Sequence, residues 1–368
     1  MPQVYRAEVI GSLLRPPHLM EARRARETGR ISIRRFKEIE DRGVEDALQL
    51  QEAAGLDVVT DGEMRRSIFL GPLMDLGEGL VPVSSESFHW KKKEGQADKE
   101  VEWPNPYSVI GKIKRARSLT VEEYVFARAK TAKPVKVTLP SPLLLTLAWS
   151  RKLSGNAYPD PFGLFWDAAD ILRQEVRDLA AVGCEYVQID APEFAESVGG
   201  SIMNRQFAER GVTLERMLTE GVAILNAIAD CPGVTFGLHT CRGNLRGHWL
   251  AEGGYEEISK KIFKRATGYS VFLLEYDDWR SGSFEPLRDV PSDKRVVLGL
   301  VSTKHDNLES PDGLLKRIDE ASRFFPRDQL AISPQCGFAS TVDGNPISEA
   351  SQAAKLRLVG EVARRAWG

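Results

Sequence analysis

The chain has 368 residues, 42% of them hydrophobic, enough to bury a large core as two ordinary domains or one large barrel. Its 50 Lys and Arg nearly cancel its 52 Asp and Glu, and no dense basic tract carries interleaved aromatics, which argues against nucleic acid as a partner. The opening MPQVYRAEVIGSLLRPPHLMEARR lacks the roughly 7–15 residue apolar run of a signal peptide, and no later stretch approaches the roughly 20 apolar residues of a membrane span, so a cytoplasmic protein with no membrane partner is expected.

Short β-branched runs ending in polar or Gly/Pro residues alternate with helix-like segments along the chain. The first two are Arg6–Ser12 and Val58–Glu63. An insertion over about 84–132 follows, with FHWKKKEGQADKEVEWPNPY at its heart. It is read as a hairpin lid rather than a solvated loop, because Trp90, Trp103 and Tyr107 are costly to leave in water without a surface to cover. The third and fourth runs are Val135–Pro142 and Tyr186–Pro192. Between them a helix is expected from Pro161 to Val182, with Leu164, Ala168, Ile171, Leu172, Leu179 and Val182 on one face and Gly183 as its stop. The fifth to eighth runs are Val234–Cys241, Ser270–Asp277, Arg295–Ser302 and Leu330–Gly337. Ser310 and Pro311 open the helix between the last two, and a final helix near Ile347–Trp367 closes the alternation. Near-continuous apolar runs suit parallel strands buried on both faces. Eight βα repeats over 1–368, with no second composition regime, predict an α/β fold of one domain, a (β/α)8 TIM barrel.

Catalytic groups of such barrels stand at the carboxyl ends of the strands. There the fifth run ends His239-Thr240-Cys241, the sixth carries Glu275, and the eighth ends in Cys336. Residues i and i+2 of a strand share a side, so His239 and Cys241 can face one ion, with Glu275 and Cys336 arriving from neighbouring strands. Two thiolates, an imidazole and a carboxylate form a tetrahedral set that suits Zn2+. The alternative is ordinary core packing, since free cysteine is often buried and zinc-finger spacings are absent. Four cysteines in so long a chain are too few for a disulfide scaffold. Cys184 and Cys231, each just before a strand at the opposite barrel end, are read as structural.

GLHTCRGN (Gly237–Asn244), LLEYDD (Leu273–Asp278) and SPQCGF (Ser333–Phe338) resemble the zinc motifs of cobalamin-independent methionine synthase. VIGSLLRP (Val9–Pro16) resembles that family's opening segment, VVTDGEMRR (Val58–Arg66) its acidic substrate-binding strand, and YVQIDAPEFAE (Tyr186–Glu196) its IDEP segment. The resemblance spans the whole chain but only the carboxyl-terminal catalytic half of the classical enzyme, and it is similar to the short single-barrel relatives. It implies that His239, Cys241, Glu275 and Cys336 hold zinc. It also implies that Ile10 and Ser12 meet the carboxylate of an amino-acid thiol, and that Glu63 and Asp190 meet its ammonium group, which their charge favours. Arg15, Arg65 and Arg66 are further candidates, for an anionic substrate tail. The chain departs from the family pattern at Ala191, where an acidic residue is usual, and at the seventh strand, where the proton-handling histidine is replaced by Lys304 or shifted to His305. Lys304, His305 and Asp190 are therefore the candidates for proton transfer.

The function implied is a zinc-dependent thiol alkyltransferase, an S-methyltransferase that carries a methyl group to homocysteine and gives methionine. The donor is open among a folate, a methylcorrinoid protein and another small methyl donor, because the half of the classical enzyme that helps bind polyglutamylated folate has no counterpart. Other readings are an enzyme that opens epoxides or cleaves ethers onto a thiol such as coenzyme M, a non-catalytic zinc–thiolate alkyl scavenger, and a metal-free decarboxylase of the same barrel superfamily.

Overall fold

The computed structural model describes residues 4–83, 87–90, 99–102, 107–197 and 201–368, with the backbone alone at 87–90, 99–102 and 202. Of the named strands, those of an antiparallel ribbon come first in the chain. β1 (Gly77–Pro82) pairs with β4 (Tyr107–Arg115), and between them β2 (Ser87–Trp90) pairs with β3 (Lys99–Glu102). Six parallel strands follow: β5 (Val137–Pro140), β6 (Tyr186–Asp190), β7 (Thr235–Thr240), β8 (Val271–Glu275), β9 (Arg295–Val301) and β10 (Leu330–Pro334), hydrogen-bonded in that order. Every residue of β5, β6, β8 and β10 is buried, as parallel strands covered by helices on one side and a filled interior on the other require.

Two extended segments close this sheet into a (β/α)8 barrel. Ala7 bridges Ile332 of β10, and Val59 bridges Val135 beside β5, both in parallel. The two segments meet each other through Asp57 N–H to the Ala7 carbonyl at 2.9 Å and Leu13 N–H to the Gly62 carbonyl at 3.0 Å. They are the first two expected strands, and they form bridges rather than ladders because side chains take their backbone groups. The Asp57 carboxylate accepts from the N–H of Arg6 and Ala7 at 2.6 and 3.0 Å, and the Gln51 amide serves both the N–H and the carbonyl of Thr60. Ile10, Val271, Leu273, Val297 and Ala331 form a small cluster of their own, distinct from the main core.

The helix Pro161–Ala181 starts at Asp160, whose side chain accepts from Phe162 N–H, and ends before Gly183 at φ 90°. Leu164, Ala168, Leu172 and Leu179 are buried as expected, but Val182 is 43% exposed, because it lies past the last turn and leaves the helical face. Ser310 caps Pro311–Ala321 by accepting from Gly313 N–H at 3.1 Å. The ribbon starts at Gly77, before the expected boundary at 84. Gly79, at φ 93°, allows the close crossing, since a Cβ there would lie 2.7 Å from the Lys112 carbonyl oxygen. β4 is tied to the barrel body by Val109 N–H to the Ala148 carbonyl at 2.9 Å and Ile113 N–H to the Tyr158 hydroxyl at 3.0 Å. A helix, Val121–Arg128, occupies the end of the expected insertion. Trp103 and the Trp90 side chain lie outside the described residues, and Tyr107 is half-buried. Among the described residues no helix is long and apolar enough to cross a membrane.

Candidate metal centre and substrate cleft

His239 near the end of β7, Cys241 just beyond it and Cys336 beyond β10 bring one nitrogen and two sulfurs within 4.8 Å of one another. The pleat puts His239 and Cys241 on the same side. Gly337 keeps Cys336 close to the first segment, because a Cβ there would sit 2.1 Å from Ser12 Oγ. His239 Nδ1 lies 3.1 Å from the Leu273 carbonyl, a contact that only an N–H satisfies, so the lone pair is on Nε2. That Nε2 is buried and has no hydrogen-bonding partner. The hydrogen bond from Cys241, against burial, holds the Cys336 thiol well below the ordinary cysteine range. An orphaned imidazole nitrogen facing two thiols, one of them acidified, fits a thiophilic divalent ion such as zinc. Cys184 is buried with its thiol pushed up to about 12 by burial, and Cys231 is half-buried; neither joins the group.

The cluster opens on a cleft that is also lined by Ile10, Ser12, Glu63, Asp190 and Glu196. Asp190 ends β6 directly opposite His239 in the β6–β7 register. Burial pushes its carboxyl up to about 7, with His239 pulling the other way and Glu63 adding to the rise. Glu63 has φ 54°, a conformation rare outside glycine. Several contacts hold it there: its N–H donates to Asp61 Oδ1 at 2.9 Å, and its carbonyl accepts from Arg15 Nη2 at 2.7 Å and from Arg66 N–H at 3.0 Å. Its Oε1 accepts from Thr138 Oγ1 at 2.8 Å, while Oε2 is buried without a hydrogen-bonding partner. Gly11 makes room for that carboxylate, since a Cβ would meet Oε1 at 2.6 Å. An over-determined, strained residue with one free carboxylate oxygen in a cleft is what a binding group looks like.

The other expected site residues stand elsewhere. Glu275, the last residue of β8, is fully buried but is not part of the His239, Cys241 and Cys336 group. Its Oε2 accepts from Arg242 N–H at 2.8 Å and its Oε1 from Arg280 Nη2 at 3.1 Å and Lys304 Nζ at 3.3 Å. Burial would raise its carboxyl, but Lys304, Arg280 and Arg242 outweigh this and hold it down at about 2. Lys304 is thus committed to Glu275 and does not line the cleft, nor does the half-buried His305. Arg15 is spent on the carbonyls of Leu13, Glu63, Arg66 and Ala339. Arg65 pairs with Asp41 and lies over the Phe126 ring, and Arg66 bonds Glu123 and Thr138. None of the three lines the cleft, and the buried Arg15 and Arg66 are held by fixed acceptors of the barrel.

Sequence reasoning missed Glu196, Asp277, Arg280 and Asn244. Glu196 lines the cleft one helical turn after Pro192, inside the very segment that carries Asp190. Burial, with Glu193 and Cys336 adding, raises it well above the usual carboxylate range. Asp277 and Arg280 pair at 3.2 Å, and the i, i+3 spacing in YDDWR was the available signal. Asn244 lines the cleft and donates to the Gly337 carbonyl at 2.7 Å, bracing the loop after Cys336.

The family model described as "Cobalamin-independent synthase, Catalytic domain" matches residues 6–364. Two Bacillus subtilis proteins, Uncharacterized protein YxjH and Uncharacterized protein YxjG, are 36% and 37% identical over 99% of this chain and 95% of their own. Methionine synthase of Pyrococcus abyssi is 26% identical over 89% of this chain and 85% of its own. A solved B12-independent methionine synthase from Shewanella sp. W3-18-1, in complex with selenomethionine, shares the fold with a TM-score of 0.76 at 21% identity, covering 99% of this chain and 98% of that one. With the fold, the cluster and a match over nearly its whole length, the chain belongs to the cobalamin-independent methionine synthase family, in its catalytic-domain form, a family of S-methyltransferases.

Proposed function

We propose that this chain is a zinc-dependent thiol methyltransferase that carries a methyl group to homocysteine and releases methionine. The observation that carries this is the meeting, in one cleft, of the His239, Cys241 and Cys336 cluster with the unpartnered oxygen of Glu63. A thiol that also bears an ammonium group uses both. His239, Cys241 and Cys336 would hold the zinc. Bound there, zinc would stabilise the thiolate of an incoming thiol, so that the thiol loses its proton and its sulfur is nucleophilic.

The chain's own residues orient the substrate. Glu63 and Asp190 neutralise the ammonium, while the Ile10 backbone and the Ser12 hydroxyl face its carboxylate. Ile68, Phe69, Leu144, Leu147, Met203 and Leu250 also line the cleft and give it an apolar surface that keeps water from the methyl donor. The thiolate sulfur attacks the methyl carbon in line, and the electron pair of the broken bond departs with the donor. The proton that the thiol gives up on binding balances the one that the departing atom takes up, so Asp190 stays ionised beside the ammonium. Among the described residues no lysine or arginine lines the cleft, so the sulfonate of coenzyme M would find no cation there. Relatives named methionine synthase and 5-methyltetrahydropteroyltriglutamate--homocysteine methyltransferase support the same acceptor.

The test is a zinc-loaded assay with homocysteine and a panel of methyl-folate, methylcorrinoid and small onium donors, read by mass spectrometry of methionine. Several methionines per chain with any donor agree with the proposal. A single methyl group retained on a cysteine would establish a scavenger, and no methionine with any donor would overturn the reading.

A further inference from the structure

The β5–β6 register sets Thr138 opposite Gln188, and two residues further along the same strands Pro140 stands opposite Asp190. Residues i and i+2 of a strand share a side, so the fully buried Gln188 lies directly beneath Asp190, on the side that faces the cleft. Its Nε2 donates to Asp190 Oδ1 at 2.6 Å. Thr138, also buried, serves the other carboxylate, because its hydroxyl donates to Glu63 Oε1 at 2.8 Å. The direction of that bond is fixed. Arg66 Nη1, which can only donate, lies 3.0 Å from the same hydroxyl, so the single hydroxyl proton is left for Glu63. Glu63 and Asp190 come from different strands, yet two residues paired in one register step hold both. Each carboxylate is tied through one oxygen, and that tie sets the direction of the other.

We propose that Thr138 and Gln188 are positioning residues for the amino end of the substrate: by tying one oxygen of Glu63 and one of Asp190, they aim the remaining oxygens at a single ammonium group. They thereby set the preference for an amino-acid thiol over the same thiol acid without its amino group. The inference rests on the reading of the substrate given above. Without the Thr138 hydroxyl, Glu63 Oε1 is left with Arg66 Nη1 at 3.8 Å, and the carboxylate swings toward that guanidinium. Without the Gln188 amide, the Asp190 carboxylate is free to rotate. In either case the ammonium loses an aligned partner, while the sulfur and the carboxylate of the substrate keep theirs.

Calorimetric binding to the zinc-loaded chain needs no methyl donor and tests this with two ligands, homocysteine and the same thiol acid without its amino group. Loss of a hydrogen bond to a charged group weakens binding by about 10–100-fold. Thr138→Val, which keeps the shape and loses the hydroxyl, and Gln188→Leu should each weaken homocysteine by about that factor. Both should bind the deaminated acid as the wild type does, with zinc content unchanged. Thr138→Ser, which keeps the hydroxyl, should retain wild-type affinity for homocysteine. Gln188→Met takes the place of the Leu variant if that chain folds poorly. Equal weakening of both ligands would make the pair merely structural, and full homocysteine affinity in the Val and Leu variants would show that they aim nothing; either result overturns the proposal. A wild-type chain that binds the two acids alike would instead remove the ammonium reading, and this inference with it.

Discussion

Arg15 Nη2 lies 2.7 Å from the Glu63 carbonyl, and its Nη1 lies 2.7 Å from the Ala339 carbonyl, so one buried guanidinium ties the second segment of the barrel to the loop after Cys336. This clamp maintains Glu63 in its left-handed conformation. Glycine tolerates that conformation and alanine does not, so Glu63→Gly should be more stable than Glu63→Ala by about 1 kcal/mol. Both should lose homocysteine affinity. Urea unfolding measures the first effect; equal midpoints for the two variants would show that no strain is stored at this position.

Asp190→Ala should raise the KM for homocysteine or lower kcat/KM by about 10–1000-fold, the loss of a charge-assisted contact, while zinc content is unchanged. A thiol without an amino group should be much less affected. Burial first, then Glu63 against the opposing pull of His239, sets Asp190 at about 7, so the ionised form that pairs with ammonium is lost as the pH falls through that value. Homocysteine KM should therefore climb below about pH 7 in the wild type and stay flatter in the variant. Equal losses for both thiols would assign Asp190 to proton transfer or structure instead.

Zinc removal should expose one reactive cysteine. Cys336 lines the cleft with an acidified thiol, whereas burial puts Cys184 at about 12. Iodoacetamide should label Cys336 first in metal-stripped protein, and added zinc should protect it. Peptide mapping that finds Cys184 labelled as fast would contradict this.

The cleft's lack of lysine and arginine among its described lining residues bears on the donor. Lengthening the glutamate tail of a methyl-folate from one residue to three should leave its KM unchanged. A clear gain for the longer tail would reveal a cationic grip that the cleft does not show.

The barrel was legible because apolar runs of strand length recur between helical stretches, and His239, Cys241 and Cys336 because each ends such a run. Glu275 was harder to read. Its place at the end of β8 is visible in LLEYDD, but the direction of its carboxylate depends on Lys304, distant in sequence, and on Arg280. The arginines show the same limit: DGEMRR offers Arg65 and Arg66 as candidates for an anionic substrate tail, yet Arg66 is buried against Thr138 and Glu123, contacts that only the closed barrel creates. Regular strands were expected at 6–12 and 58–63, but Asp57 and Gln51 replace ladder bonds with side-chain ones, which no local pattern announces.

The central claim is tested most directly by elemental analysis of freshly purified protein and two cysteine variants. The account predicts about one tightly held zinc per chain, lost in Cys336→Ser and retained in Cys184→Ser. Protein without zinc, or equal zinc loss in both variants, would contradict it.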